Sequence, residues 1–533
     1  MARRNVASAI GSLTTAAAVI LATATAAAAA NFTAPVALSN PPVGGEPSIA
    51  ADPQGDVFVA GPQGIPSGDS GHPGIGLWIS RDDGSTFQKG VFMGSDIGGG
   101  DSDIIYDAGA VYTADLEAIA TEVCKSTDRG QTFTGVGPVP DSAGCTTINA
   151  GQVGPSDDRP WLTADPSDPQ RLYVTYHEFV SAQPIAFRTD NGGADDFAHA
   201  CGPLITDPAV EANVPTDITG GTLVAHPVTD QAGNLYVLFV TTTQQQNLDA
   251  AAHGFPSGTF SQLYLAVSHD HCQSFTDYTV FDGSKVGTNT VQFGDIFNDL
   301  AIDGAGNLYV IGAGAVGTTP FPSTTNVYLL RSTDHGVHWT SPMMLDQANA
   351  AHMLPAAIGG PQAGQLAIGY FRTTNGVIDP NSLSGQWTYT TAEATNATAA
   401  NPSFTYVDVN PGFIYHHGQI CNAGVLCGAT PNGPSDRSLL DFTSATLDTH
   451  GCPLFTFAGN PAGTPTTNSA SNTNNYVTRQ LSGCFAATSA GAPAASSTTH
   501  KKHKKHKKRR KHKHHARGRR ISRRPRRSVG FTG

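Results

Sequence analysis

Charged residues are scarce in this chain of 533 residues, since Lys, Arg, Asp and Glu together make up only 14% of it. Lysine is almost absent before residue 500. Amphipathic helices need a charged or polar outer face, so this scarcity argues against a helical fold. Glycine and proline are abundant instead, with 59 and 35 residues. Many short strands joined by turns fit this composition, and we therefore predict an all-β fold.

Acidic residues are absent from residues 501–533, which hold 17 of the 31 Lys and Arg residues. Such a segment cannot bury a core, so we predict a disordered Lys/Arg/His-rich tail after a flexible linker at 486–500. The tail fits electrostatic binding to an anionic polymer or to lipid headgroups, and a merely solvated tail is the alternative. It has no set of stacking aromatics, so we expect no sequence-specific nucleic-acid binding.

The first thirty residues have the layout of a secretory signal peptide. Arg3 and Arg4 precede an Ala-rich apolar stretch at 16–21, and the segment ends in the small residues ATAAAAA. The apolar stretch is short and diluted by Thr and Ser, so it fits a membrane anchor less well, and the arginine pair is a weak twin-arginine signal. We predict a signal peptide at 1–30, a secreted mature protein without a transmembrane segment, and association with the cell surface through the basic tail.

Eight cysteines in an exported chain predict four disulfides, with free buried thiols as the alternative. Sequence alone leaves the connectivity open. The pairs that we favour are Cys421 with Cys427, Cys124 with Cys145, Cys201 with Cys272, and Cys452 with Cys484.

One hairpin pattern recurs seven times in the body of the chain. Each copy is a short apolar strand, a turn rich in Asp, Pro, Gly or Asn, and a second strand rich in Tyr, Val and Leu. The copies begin at Pro47, Ser102, Pro160, Leu223, Asn298, Leu354 and Phe442. A third strand and an aromatic residue that opens a fourth strand lie between consecutive hairpins. Four antiparallel strands per unit predict a β-propeller of seven blades, or of six if the second or the last hairpin is not a blade.

The last unit needs a strand from elsewhere in the chain. NNYVTRQLSG from Asn474 reads as its third strand, and no good fourth strand follows it. Residues 31–39, NFTAPVALS, are the candidate. We predict that they pair with the last unit and close the ring.

A second phrase alternates with the hairpins. It reads SRDDGSTF at 80–87, KSTDRGQTF at 125–133 and RSTDHGVHW at 331–339, with degraded copies at 188–197 and 268–275. These copies resemble the Asp-box (BNR) repeats of the sialidase-like β-propeller superfamily, over roughly residues 31–485. Such a turn needs a Gly that takes positive φ, an Asp or Ser that binds turn amides, and an aromatic that fills the gap between blades. In the superfamily these turns lie opposite the active site, so their aspartates are interpreted as structural.

If the repeated turns close one face, the starts of first strands and the ends of second strands share the other face. The resemblance implies a sialidase site there, in which three arginines bind the substrate carboxylate, a Tyr activated by a Glu is the nucleophile and an Asp is the acid/base. The candidates on this face are Arg159, Arg372 and Arg437 for the arginines, Glu178 with Tyr176 or Tyr415 for the nucleophile, and Asp103 or Asp158 for the acid/base.

The match to a sialidase site is incomplete. The first arginine of the superfamily comes in a Phe-Arg-Ile-Pro phrase, and the matching place here reads GGEPSIAA, with Glu46 and no arginine. The three arginines are therefore candidates by position, and ties between blades through Arg–Asp pairs are the structural alternative. We predict an exo-α-sialidase-type glycoside hydrolase acting on extracellular glycans. The alternative is a non-catalytic propeller that binds glycan or protein at the cell surface.

No cofactor is required by this prediction. The carboxylate-rich face could hold Ca²⁺, but no EF-hand spacing or His-x-x-x-His motif supports a metal site. His177, His416 and His417 are too scattered in sequence to indicate zinc. We expect a monomer whose partners are glycans or a cell-surface polymer.

Overall fold

In a computed structural model of the chain, the residues described are 31–39, 44–62, 75–93, 99–117, 120–135, 145–148, 157–178, 180–214, 222–245, 262–283, 291–292, 298–316, 324–346, 348–421, 436–461 and 473–485. The predicted signal peptide, linker and basic tail lie outside these residues. Within the described ranges, no helix is long and apolar enough to cross a membrane.

The described chain forms seven antiparallel sheets, which we number as blades in chain order. It starts with β1 (Asn31–Phe32) and β2 (Val36–Ala37), which join the last blade. Blade 1 contains β3 (Ser48–Ala51), β4 (Val57–Pro62), β5 (Ile75–Ser80) and β6 (Gln88–Met93). Blade 2 contains β7 (Gly99–Asp107), β8 (Ala110–Glu117), β9 (Ala120–Ser126), β10 (Thr134–Gly135) and β11 (Thr146–Thr147). Blade 3 contains β12 (Asp157–Ala164), β13 (Leu172–Glu178), β14 (Gln183–Thr189) and β15 (His199–Ala200), and α1 (Pro208–Glu211) follows it.

The remaining blades follow the same plan. Blade 4 contains β16 (Leu223–Val224), β17 (Val228–Thr229), β18 (Leu235–Thr241), β19 (Gln262–Ser268) and β20 (Thr276–Asp282). Blade 5 contains β21 (Val291–Gln292), β22 (Asn298–Ile302), β23 (Leu308–Val316), β24 (Asn326–Ser332) and β25 (Met343–Met344). Blade 6 contains β26 (His352–Gly359), β27 (Leu366–Thr373), β28 (Gln386–Ala394), β29 (Thr405–Asp408) and β30 (His416–His417). Blade 7 contains β31 (Ser444–Leu447), β32 (Pro453–Gly459) and β33 (Asn474–Ser482).

The blades form a closed ring around one axis. The first strand of each blade contacts that of the next: β3 with β7, β7 with β12, β12 with β17, β17 with β22, β22 with β26, β26 with β31, and β31 with β3. The prediction of a seven-bladed all-β propeller is confirmed. The prediction that residues 31–39 complete the last blade is confirmed too, because β1 and β2 both pair antiparallel with β33.

Hydrophobic cores lie between neighbouring blades. Phe58 and Leu77 of blade 1, for example, pack with Ile104 and Val111 of blade 2. Both faces of a middle strand are covered by the adjacent blades, and every residue of β18 is accordingly buried. The second strands therefore read as continuous apolar runs rather than as alternating polar and apolar residues.

The repeated turns share one hydrogen-bond pattern. In blade 1 the Ser80 hydroxyl accepts from the Gly84 amide at 2.9 Å and donates to Asp82 at 2.7 Å, and Asp82 accepts from the Thr86 amide at 2.8 Å. The same bonds recur at Ser126, Ser268 and Ser332, and Thr189 with Asn191 reproduces them in the degraded third copy. This pattern explains why the phrase repeats in the sequence.

The turn glycine lies against the preceding blade. A Cβ on Gly336, which has a φ of 87°, would come within 2.4 Å of Leu265 in blade 4. Cys272 replaces this glycine in blade 4 and still takes a φ of 63°, a region that is costly for a residue with a Cβ. Its disulfide to Cys201 ties this turn to blade 3.

The predicted disulfides are present where both cysteines are described. Cys124 pairs with Cys145, Cys201 with Cys272, and Cys452 with Cys484. Cys421 is disulfide-bonded as well, and its predicted partner, Cys427, lies outside the described residues.

We expect Ser126→Ala to lower the free energy of unfolding by roughly 1–2 kcal/mol, because the buried hydroxyl accepts from the Gly130 amide and donates to Asp128. Urea denaturation of the purified protein measures this difference. Ser85→Ala is the matched control, since Ser85 is an exposed serine in the equivalent turn of blade 1 and its loss should change stability by less than about 0.5 kcal/mol. Equal effects of the two substitutions would contradict a structural role of the pattern.

Candidate functional site

Four first strands bring charged residues together at the axis, on the side away from the repeated turns. We call this group the axial cluster, and it consists of Glu46, Asp101, Asp158, Arg159, Arg437 and Asp441. They lie at or just before the first strands of blades 1, 2, 3 and 7. The face assignment made from the sequence thus brings two of its three arginines together.

Asp441 is the hub of the axial cluster. It accepts from Arg159 Nη2 at 3.4 Å, from Arg437 Nε at 3.2 Å, and from Arg437 Nη2. Its own backbone amide donates to Glu46 Oε1 at 2.8 Å, and the backbone amide of Arg159 donates to Asp101 Oδ2 at 3.2 Å. These bonds link blades 1, 2, 3 and 7 around the axis.

Backbone strain accompanies the axial cluster. Glu46, Arg159 and Leu440 have φ values of 38°, 57° and 59°, a region that residues with a Cβ rarely adopt. The strand pairing of β12 is also irregular between Asp158 and Trp161. Bulges and strained residues concentrate at functional sites, where they aim a side chain that a regular strand would point elsewhere.

Two carboxyl groups of the cluster have raised pKa values. Burial raises the pKa of Glu46 well above its usual range, and the charge of Asp101 raises it further. Burial likewise raises the pKa of Asp158, and Asp101 again adds to the effect while Arg159 opposes it. Asp101, whose Oδ2 accepts from the Arg159 amide at 3.2 Å, is the carboxyl group that contributes to both shifts. Carboxylates this close repel strongly when both are ionised, so Glu46 and Asp158 retain protons at pH values where ordinary carboxyl groups have lost them.

The members of the cluster differ in their access to solvent. Asp158 keeps 23% of its side chain exposed and Arg437 keeps 25%. Glu46, Arg159 and Asp441 are almost completely buried. Of the two carboxyl groups with a raised pKa, Asp158 is therefore the one that keeps access to solvent.

A column of rings extends from the cluster along the axis. The Arg159 guanidinium lies 4.7 Å from the centre of the Phe442 ring, and Phe442 meets Trp161 edge to face at 4.9 Å. Trp161 packs on the His226 ring at 3.9 Å and donates to the Val224 carbonyl. These rings separate the axial cluster from a second polar group.

The second polar group is centred on Asp103. This carboxylate accepts from the Ser48 hydroxyl at 2.6 Å and the Leu162 amide at 2.7 Å, and it contacts His226 Nε2 at 3.0 Å. Burial raises the pKa of Asp103, but the charge of His226 and these hydrogen bonds outweigh burial and lower it. Asp103 is therefore ionised and saturated, which suits a tie between blades 1 to 4 better than a proton donor. Of the two predicted acid/base residues, only Asp158 has a raised pKa.

Comparison with known proteins gives fold-level similarity only. No protein family model and no curated protein matches the chain. Among solved structures, the α-L-arabinofuranosidase Arb93A from Fusarium graminearum is 11% identical, with 86% of this chain and 98% of that one covered and a TM-score of 0.40. The GH74 xyloglucanase from Xanthomonas campestris is 16% identical, with 80% and 52% covered and a TM-score of 0.42. The Hadza microbial sialidase Hz136 is 12% identical, with 62% and 63% covered and a TM-score of 0.36.

Arg372 lies apart from the other two predicted arginines. Its Nη2 donates to both oxygens of Asp408, at 2.7 and 2.8 Å, and its Nη1 lies 3.7 Å from Asp346. Asp346 also accepts from the Tyr370 hydroxyl and contacts His352. Arg372 is thus held in a polar network of blade 6 and its neighbouring loop.

The predicted nucleophile residues also lie in separate places. Tyr176 is buried between blades 2 and 3 and stacks on Phe187. Tyr415 is buried among Phe457 and Tyr476, and burial raises the pKa of its phenol, which opposes ionisation. The carboxylate of Glu178 accepts from the amides of its own turn, at Val180 and Ser181. The tyrosine–glutamate couple stays a prediction.

Glu46, Asp101 and Asp441 are members of the axial cluster that the sequence analysis did not include among the site residues. Glu46 and Asp101 contact residues of other blades, and Asp441 joins Arg437 of its own blade to Arg159 of blade 3, so no local motif marks the three together. Their common position at first-strand starts was the available signal. Within the described part of the chain, no group of three or more His, Cys, Asp or Glu residues has a geometry that could hold a metal ion.

We expect Glu46→Gln to stabilise the protein at pH 8 by roughly 1–3 kcal/mol. This is the usual cost of a buried hydrogen-bond acceptor that has no donor, and the substitution removes that cost. The raised pKa of Glu46 means that the folded state binds its proton more tightly than the unfolded state. The stability that Glu46 contributes is fully present below the pKa that it has in the unfolded chain. That stability is lost as pH rises through the pKa that it has in the folded protein. The gain from Gln should therefore vanish at pH 4. Urea denaturation at pH 4, 6 and 8 measures it, and a pH-independent gain would contradict the assignment.

Proposed function

We propose that this protein is an extracellular glycoside hydrolase whose site is the axial cluster and whose general acid is Asp158. The observation that carries the proposal is the position of Asp158 in the axial cluster, where burial and then the charge of Asp101 raise its pKa while 23% of its side chain stays exposed to solvent. A carboxyl group with a perturbed pKa beside strained backbone is typical of an acid catalyst.

The chemistry follows from the charges of the cluster. The bond between the anomeric carbon and the glycosidic oxygen breaks as Asp158 transfers its proton to that oxygen. A water molecule adds to the anomeric carbon and gives one proton to the Asp158 carboxylate, which restores the acid. A neighbouring carboxylate of the cluster stabilises the positive charge that develops on the sugar ring in such a transition state.

An extracellular location fits the cysteine chemistry. Three disulfides join described cysteines, and a fourth involves Cys421. Such bonds persist in oxidising compartments and are rare in the cytosol. The predicted signal peptide at 1–30 points the same way.

Exo-sialidase activity is the finer form of this proposal that the arginines suggested. Arg159 and Arg437 do lie together in the cluster, but both donate to Asp441, which occupies the groups that a substrate carboxylate would need. Its other elements, a third arginine at Arg372 and a nucleophile formed by Glu178 with Tyr176 or Tyr415, stay predictions.

A second candidate function is non-catalytic binding of glycan or protein at the cell surface. The observation that favours it is the saturation of Asp441 by two arginines and of Asp103 by three neighbouring blades, which a purely structural set of ties between blades also explains. In this case the cluster would hold the ring together, and the surface around it would bind a partner.

The test is hydrolysis of a panel of fluorogenic glycosides by the purified full chain. The panel contains an α-sialoside, an α-L-arabinofuranoside, a β-xyloside, a β-glucoside and a β-glucuronide. Turnover of at least one member, lost in Asp158→Asn with unchanged thermal stability, is the expected result. No turnover of any member, together with binding on a glycan array, would overturn hydrolysis in favour of the binding function.

A further inference from the structure

The charge balance of the axial cluster bears on which sugars it accepts, and this inference rests on the proposed function. Two cations lie among the described residues of the cluster, Arg159 and Arg437, and both contact Asp441. Arg437 presents two adjacent N–H groups, on Nε and Nη2, to the two oxygens of Asp441. This fork is the geometry in which arginine binds a carboxylate.

Asp441 therefore occupies the donors that a sugar carboxylate would need. Asp441 and Arg159 keep only 4% and 3% of their side chains exposed, so water screens their attraction poorly. The Arg159 guanidinium also lies over the Phe442 ring. An anionic ligand would have to displace Asp441 and leave its charge buried and unpaired, which is costly.

The other carboxyl groups of the cluster also disfavour an anionic ligand. Asp441 and the carboxyl groups of Glu46, Asp101 and Asp158 outnumber the two arginines, so the cluster offers an anion no uncompensated positive charge. Like charges in a partly buried site repel an anion and select against it. Carboxyl groups accept hydrogen bonds from sugar hydroxyls, which an uncharged sugar supplies.

We infer that Asp441 is a specificity-determining residue that neutralises Arg159 and Arg437 and thereby restricts the site to uncharged glycans. Replacing its charge alone should convert the site to one that accepts sugars bearing a carboxylate. Asp441→Asn keeps the shape of the side chain and removes the charge.

The first measurement is the reactivity of Arg437 towards phenylglyoxal, mapped by mass spectrometry on the full chain. Arg437 is expected to be protected in the wild type and to react at least tenfold faster in Asp441→Asn. Asp408→Asn is the matched control, because it removes a carboxylate from Arg372 in blade 6 and should leave Arg437 protected. Equal reactivity of Arg437 in the wild type and in Asp441→Asn would overturn the inference.

The second measurement is binding to an array of neutral oligosaccharides and their uronic- and sialic-acid-containing counterparts. The wild type is expected to bind neutral members, and Asp441→Asn to shift the ratio of acidic to neutral binding at least tenfold towards acidic members. The double variant Asp441→Asn/Arg437→Gln should lose that shift, and thermal unfolding confirms that each variant is folded. A wild type that prefers acidic sugars, or an unchanged ratio in the variant, would overturn the inference.

The two proposals fail in different ways. Selective binding of neutral glycans without hydrolysis of any glycoside would overturn the catalytic function and leave the role of Asp441 standing. Hydrolysis of the sialoside by the wild type would support the catalytic function and overturn the role of Asp441. Absence of binding by both the wild type and the variant would overturn both proposals.

Discussion

Asp158→Asn is expected to lower kcat/KM for the best glycoside by about 10²–10⁴-fold, the usual contribution of a general acid. Asparagine keeps the size of the side chain, but it cannot transfer a proton to the leaving oxygen. The loss should be largest for leaving groups that need protonation. A dinitrophenyl glycoside, whose leaving group is already a weak base, should lose much less.

The pH profile provides an independent check on this role. An acid catalyst must be protonated, so wild-type activity should fall as pH rises through the raised pKa of Asp158, and Asp158→Asn should lack that fall. Asp107→Asn is the matched control, because burial raises the pKa of Asp107 to about 6 in the turn between β7 and β8, outside the cluster. An equal loss for good and poor leaving groups would contradict the role of Asp158 as acid.

Removal of residues 31–39 is expected to lower the free energy of unfolding by on the order of 5 kcal/mol or more. Phe32 is buried in the core of blades 6 and 7, and burial of one such ring contributes about 2 kcal/mol. The backbone amides of Thr33 and Leu38 donate to β33 at 2.8 and 2.9 Å. Asn474 exchanges two hydrogen bonds with the backbone of Ser39. Without these contacts β33 becomes an unpaired edge of the ring.

Thermal and urea unfolding of two chains measure this contribution, one that begins at Asn31 and one that begins after Ser39. The shorter chain should unfold at lower urea concentration and show an increased tendency to aggregate through its open edge. Addition of the free peptide NFTAPVALS should restore part of the stability, whereas a peptide of the same composition in scrambled order should not. Equal stability of the two chains would contradict the contribution of these strands.

The propeller could be predicted from the sequence because its information is local and repeated. A single hairpin is weak evidence for any fold, but seven hairpins with turns in register specify a unit that stacks on copies of itself. The phrase around Ser80, Ser126 and Ser332 is readable because its hydrogen bonds join residues two and four positions apart. Ring closure by residues 31–39 was predictable by the same logic, since the last blade lacked a strand.

The site was predictable only in part. Asp158, Arg159 and Arg437 were assigned to one face because they lie at the starts of first strands. The assignment works because strand direction alternates regularly within a blade. The same count grouped Arg372 with them, whereas its side chain pairs with Asp408 on the outer strand of blade 6. The direction of a side chain beside a bulge cannot be read from strand position, and β26 has such an irregularity opposite β27.

By itself the sequence determined the propeller fold, the turn chemistry and the closing strand, because these depend on regular spacing and on residues close in the chain. It favoured seven blades over six and favoured the disulfide pairs seen at Cys124, Cys201 and Cys452, which the structure then established. Only the tertiary structure decided which charges meet at the axis. Glu46 and Asp441 are separated by 395 positions and joined by a 2.8 Å hydrogen bond. The protonation of Asp158 depends on burial and on a carboxylate from another blade, and both exist only once the ring has closed.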